Sequence, residues 1–188
     1  STISGYVVDE ISNSAFYDCA KITRVTLPST IKKIGSYAFY NCELLTQINL
    51  PNSIIEIGSS AFAHCDVIDN IILPQYLTTI ESYVFQSCSS LKNIVVPENV
   101  TQIKSNAFYY CSNLSEITLH DELLHIGSYA FGGTKYYSSK SNWNDGELYI
   151  GNHLVAVDKT INGAYSIKEN TKVISERCFY GQNGMTSL

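Results

Sequence analysis

The chain has 188 residues, 45% of them apolar and 15% charged, with a formal net charge of −5. That balance describes a folding sequence with a lightly charged surface and excludes a disordered tail. Lys and Arg are nowhere clustered, which argues against nucleic acid as a partner, and the apolar runs are too short for membrane insertion.

Read from the N-terminus, one short phrase returns again and again. NSAFYDC (13–19) is followed by SYAFYNC (36–42), SSAFAHC (59–65), SYVFQSC (82–88), SNAFYYC (105–111) and SYAFGGT (128–134). Phe16, Phe39, Phe62, Phe85, Phe108 and Phe131 are each 23 residues apart, and Phe179 follows after 48. Pro28, Pro51, Pro74 and Pro97 keep the same step, as do Ile11, Ile34, Ile57, Ile80, Ile103 and Ile126, with Ile174 expected to rejoin the row. A fixed period of this length marks a solenoid of stacked coils.

Each period holds two stretches with strand character. The first is of the type Ile22–Pro28, Leu45–Pro51 and Leu91–Pro97, closed by a proline that cannot continue a ladder. The second is of the type Ile31–Ile34 and Ile54–Ile57. Between them, Ser36, Ser59, Ser82, Ser105 and Ser128, with Asn13 in the first copy, suit the N-cap of one short helical turn. Coils so small bury their apolar residues only by stacking, with equivalent strands paired in parallel. The phenylalanines then form an interior spine. Cys19, Cys42, Cys65, Cys88 and Cys111 form a second inward ladder, where a weak S–H donor can meet a backbone carbonyl. Stacked thiols point the same way, which suits neither a disulfide nor a convergent metal site. A catalytic thiol lacks a base, since His64 points away if Cys65 points in. Cys178 falls at an alanine position of the core, and Thr134 and Gln182 take the cysteine slot in the last two copies.

Regularity lapses at 132–166. The segment GGTKYYSSKSNWNDG is followed by ELYIGNHLVAV, whose central Gly151-Asn152 signals a β-hairpin with a type I′ or II′ turn. A protruding loop and hairpin is expected here, with a partial repeat returning at 167–188. Tyr136, Tyr137, Trp143 and Tyr149 are residue types favoured in binding hot spots. Alternatively they fold back and plug the uneven rung. The whole chain is read as one solenoid, 1–188, with regular repeats over 8–131. Ser1 and Leu188 both fall in mid-coil, so a longer parent protein is expected.

The first strand of each period places three ladders on the outside. They are Thr23, Thr46, Asp69, Lys92, Ser115; Arg24, Gln47, Asn70, Asn93, Glu116; and Thr26, Asn49, Ile72, Val95, Thr118. Ile72 and Val95 beside Asn70 and Asn93 form a small exposed apolar patch, the candidate anchor of a protein-binding face. Arg24, Gln47, Asn49 and Glu116 complete the candidate set. A merely solvated sheet face is the alternative. His64, His120, His125 and His153 show no metal-ligand spacing, and no nucleophile, phosphate-loop, dinucleotide or zinc-protease motif is present. Catalytic residues, metal and cofactor are therefore expected to be absent. Asn99-Val100-Thr101 and Asn113-Leu114-Ser115 are glycosylation sequons that matter only in a glycosylating host.

The phrase I-G-S-x-A-F-x-x-C-x-x-L-x-x-I-x-L-P resembles the BspA-like, treponemal-type leucine-rich repeats of surface and secreted proteins. The resemblance runs through 8–134 and returns at 167–188. It implies a leucine-rich repeat solenoid, mostly β, of right-handed coils with short parallel strands. It also implies an extracellular, non-enzymatic module for attachment to a host or microbial surface or matrix protein. A passive stalk presenting other domains is the alternative. The expected state is a monomer or weak end-to-end association, with no nucleic acid and no membrane insertion.

Overall fold

The structure, a computed structural model, describes the backbone of residues 2–3 and 6–187 and the side chains of 7–187; Ser1 and Leu188 lie outside the described residues. Short parallel strands stack with the 23-residue step. One row runs Glu10–Ile11, Lys33–Ile34, Glu56–Ile57 and another Thr79–Ile80, Gln102–Ile103, His125–Ile126. Residues one period apart are direct partners, as in Ile11↔Ile34↔Ile57 and Ile80↔Ile103↔Ile126. The other strand of the coil pairs Arg24–Thr26 with Gln47–Asn49, and Asn93–Val95 with Glu116–Thr118.

Ring centroids from Phe16 to Phe131 follow one another at 5.0–5.6 Å, with interplanar angles of 2–12°. Phe39, Phe62, Phe85, Phe108 and Phe131 are fully buried, whereas Phe16 at the end of the stack is half-buried. The thiols lie beside this spine. Cys42, Cys65, Cys88 and Cys111 each donate through Sγ to the phenylalanine carbonyl of the preceding coil, at 3.2, 3.2, 3.1 and 3.0 Å. Burial pushes the Cys42 thiol up to about 11 and that of Cys111 to about 12, and raises those of Cys65 and Cys88 as well. A thiol reagent at mildly alkaline pH should therefore reach half-buried Cys19 first, and all six cysteines only after denaturation. Rapid labelling of Cys65 or Cys88 in the folded chain would contradict this packing.

The segment between the strands is not the helical turn that its serine suggests. Two residues four apart take left-handed backbone in every copy, for example Tyr37 (φ 57°) with Asn41 (φ 58°) and Tyr83 (φ 59°) with Ser87 (φ 59°). Alternate N–H groups then bond upward to the next coil and inward within their own. Tyr37, Phe39 and Asn41 donate to the carbonyls of Ser59, Ala61 and Ala63, while Ala38, Tyr40 and Cys42 close short turns. This satisfies the backbone in a corner too tight for a helix. The short α-helix Lys135–Ser138, capped by Thr134 Oγ1, lies instead in the irregular segment.

The hairpin does form. Glu147–Ile150 pairs antiparallel with His153–Val157 across Gly151-Asn152. Gly151 has φ 58° and Asn152 is not left-handed, as a type II′ turn requires. It does not protrude, however. All of His153–Val157 is buried, and it pairs in parallel with the returning strand Val173–Ile174. That pairing buries Val173 and leaves Ile174 40% exposed, so Ile174 does not rejoin the isoleucine row. Phe179 likewise leaves the spine. Its ring meets Tyr165 edge-on at 5.3 Å, in a second small core with Leu154, Val157 and Cys178.

Candidate functional site

The strand rows are interrupted at one level. Nothing pairs Glu56–Ile57 with Thr79–Ile80, and residues 69–73 form no strand between Gln47–Asn49 and Asn93–Val95. Elsewhere the repeat donates regularly across coils, as from Gly58 N–H to the Ile34 carbonyl and from Lys104 N–H to that of Ile80. The turns opposite stay continuous at this level, with Ser60, Phe62 and His64 donating to Ser82, Val84 and Gln86. The solenoid is thus closed along the phenylalanine side and parted along the strand side.

Charge placement agrees with that division. Lys33 pairs with Glu56 at 3.1 Å and Lys92 with Asp69 at 3.2 Å, so each pair ties two coils on one side of the parting. The Glu56 carboxylate holds the Lys33 ammonium above its ordinary value. Across the parting, the bond from Gln75 N–H to Asn52 Oδ1 is 3.3 Å long.

The parting opens as a shallow cleft of about 720 Å³. Arg24, Gln47, Asn49, Asn70 and Ile72, picked out from the repeat pattern alone, all line it. Asn49 also braces the neighbouring coil, accepting from Leu27 N–H at 2.7 Å and donating to the Leu27 carbonyl at 3.1 Å. Ile72 is 78% exposed on one wall and Val95 is 62% exposed on the adjoining coil. Asn93 and Glu116 continue the same face over the paired strands beyond. Exposed apolar side chains ringed by amides and hydroxyls are what a partner's apolar group can dehydrate and bond around.

The aromatic residues of the irregular segment lie elsewhere and fold inward. Tyr136 donates from its hydroxyl to the Tyr149 carbonyl at 2.9 Å, and Trp143 from Nε1 to the Tyr137 carbonyl at 2.7 Å. Tyr137 and Trp143 meet edge-on at 5.4 Å, and all three pack against the main core. Tyr137 and Trp143 wall a second cleft of about 550 Å³ between Phe131 and the returning coil. Sequence reasoning passed over the tyrosines of the turn side: Tyr37, Tyr83 and Tyr129 are 44%, 41% and 51% exposed. Their 46-residue spacing was the available signal.

Among the described residues no three His, Cys, Asp or Glu side chains converge as a metal site, and no helix is long and apolar enough to cross a membrane. The BspA type leucine rich repeat region matches residues 9–138 in six copies. The chain belongs to the BspA-type leucine-rich repeat family. A T. pallidum leucine-rich repeat protein is 37% identical with a TM-score of 0.70, over 72% of this chain and 64% of that one. A leucine-rich cell surface protein of Faecalibacterium prausnitzii is 26% identical with a TM-score of 0.67, over 100% of this chain and 45% of that one. A leucine-rich repeat protein of Eubacterium ventriosum shares the fold, with 19% identity, a TM-score of 0.63, and 98% of this chain against 45% of its own. The BspA-type chain therefore spans about half to two-thirds of these relatives. No curated protein matches it. The repeat is a protein-interaction or structural module by family.

Proposed function

We propose that this BspA-type repeat is a non-enzymatic recognition module of a cell-surface or secreted protein. It binds a host or microbial surface or matrix protein through the parted strand face. The observation that carries the reading is the convergence of Arg24, Gln47, Asn49, Asn70 and Ile72 on one cleft where the strand rows are interrupted. The description of the F. prausnitzii relative as a cell surface protein supports the location. A passive spacer is the second reading, favoured by the unbroken stack of rings from Phe16 to Phe131.

The two readings separate in a binding experiment on the intact chain, immobilised and exposed to matrix and bacterial surface proteins. Ile72→Lys should weaken saturable binding at least tenfold, about 1.4 kcal/mol, because a charge replaces the apolar anchor. Tyr83→Asn, on the turn side, should leave it unchanged. Equal affinity of wild type and Ile72→Lys would remove the cleft from the account, and saturable binding to none of the proteins would favour the spacer.

A further inference from the structure

Tyr37, Tyr83 and Tyr129 occupy the same slot of alternate coils, with φ of 57°, 59° and 55°. A bulky side chain in left-handed backbone is an outlier that costs conformational energy. Other coils hold the slot with other residues, Ser14 (φ 56°), Ser60 (φ 56°), Asn106 (φ 59°) and, in the returning coil, Arg177 (φ 58°), of which asparagine tolerates it best. Folding does not call for the tyrosines: each is 41–51% exposed and outside the core. Strain kept at exposed positions points to a task at the surface.

The surroundings indicate the task. The turn side is formed by 12–19, 35–42, 58–65, 81–88, 104–111, 127–134 and the returning 175–182; over the first six of these segments only Asp18, Glu81 and Lys104 carry formal charge, with Glu176 and Arg177 in the last, although the chain holds 12 Lys and Arg and 17 Asp and Glu. Serine, asparagine and further tyrosines supply most of the other polar side chains, with His64 and Gln86 among them, and Tyr17 and Tyr40 stack at 4.9 Å. Rigid amphipathic rings with small adaptable hydrogen-bonding residues between them are the composition of a binding surface. The array is also linear and periodic. The buried rings of successive coils stand 5.4 and 5.6 Å apart over the two steps from Phe39 to Phe85, and the tyrosines repeat at that double step.

We infer that the turn side is a second binding surface, for a neutral, extended polysaccharide. Its scarcity of charge matches an uncharged ligand. Its half-exposed rings give apolar contact for the C–H surfaces of sugars, and the hydroxyls and amides between them meet sugar hydroxyls. Its double-coil spacing is close to the length of a disaccharide in an extended chain. The site is independent of the strand-side cleft.

Affinity electrophoresis of the intact chain tests this with hydroxyethylcellulose, mixed-linkage β-glucan and galactomannan as neutral probes and polygalacturonate as a charged one. Wild type should be retarded by at least one neutral polymer and not by polygalacturonate alone. The triple variant Tyr37→Ser, Tyr83→Asn, Tyr129→Ser places in each slot a residue that other coils already hold there, so it folds. It should bind the retarding polymer at least tenfold more weakly, with unfolding temperature unchanged or higher, while Ile72→Lys binds it as wild type does. The inference is overturned if no neutral polymer retards wild type, if only polygalacturonate does, or if the triple variant is retarded equally. It is also overturned if the variant loses affinity for a protein while keeping that for the polymer.

Discussion

Phe85→Ala should lower the unfolding free energy by about 3–5 kcal/mol, read from urea denaturation followed by circular dichroism. The ring is 1% exposed and lies between two parallel neighbours, at 5.6 Å from Phe62 and 5.5 Å from Phe108. Its removal opens a cavity in a column that is braced by backbone bonds on both sides. Phe85 N–H donates to Ala107 at 2.9 Å and Phe62 N–H to Val84 at 2.9 Å, so collapse of the coils onto one another is resisted. Phe16→Ala offers the comparison: its ring has one stacked neighbour and is half-buried, and the loss should be clearly smaller. Because each coil touches only its neighbours, the central deletion should also broaden the transition by uncoupling the two halves. A loss at Phe85 below about 1 kcal/mol would mean that the column relaxes and does not act as a spine.

What the repeat discloses, and what it hides, follows from the same geometry. A strict 23-residue step dictates which residues lie over one another, so the rings, the thiols and the outward ladders are legible in the sequence. The turn is not, because Ser-x-Ala-Phe has the form of a helix cap. The slot before each cysteine held the better signal. It reads Asp18, Asn41, His64, Ser87 and Tyr110, then Gly133, and glycine, asparagine and aspartate are the residues that tolerate left-handed backbone.

Three features could not be read from the pattern. Residues 70–74, NIILP, keep the strand motif of their neighbours, yet pairing lapses there; ion pairs bind the coils on either side, and long polar side chains choose such partners only in three dimensions. At the returning coil, Ile174 keeps the isoleucine step, but the hairpin strand Leu154–Val157 has taken the place of a coil strand. Ser175 N–H donates to Leu154 at 2.9 Å and Glu176 N–H reaches back to Ile126 at 2.8 Å. The new partner sets a register in which Val173 points in. The insertion's buried polar contacts were equally hidden. Glu147 accepts from the Tyr165 hydroxyl at 2.6 Å and pairs with Lys168 at 2.6 Å, although the three are scattered over 22 residues of sequence.

That insertion should also make the fold sensitive to mild acid. His153 is fully buried at the start of the inner hairpin strand, and its Nε2 lies 3.0 Å from the His120 carbonyl oxygen. Nε2 is therefore the protonated nitrogen and donates, while Nδ1 has no partner among the described residues. A second proton would be held away from solvent, so burial lowers the pKa of His153 below 6.5. The His120 carbonyl and Asp121 work against that shift, and the charges of His120 and Lys172 work with it. With the folded value depressed, the unfolded chain takes up the proton first. Stability is complete above the unfolded value and declines as the pH falls below it. Between about pH 7.5 and about pH 5.5, His153→Gln should lose less stability than wild type, each 1 kcal/mol corresponding to about 2–4 °C in Tm for a chain of this size. The loss should also be local. Amide exchange should accelerate over residues 150–157 and 172–175 in wild type at the lower pH, because Lys172 and Ser175 N–H donate to the Asn152 and Leu154 carbonyls on either side of the imidazole. Identical pH dependence in the two proteins, or exchange quickening evenly along the solenoid, would assign the acid sensitivity to groups other than this ring.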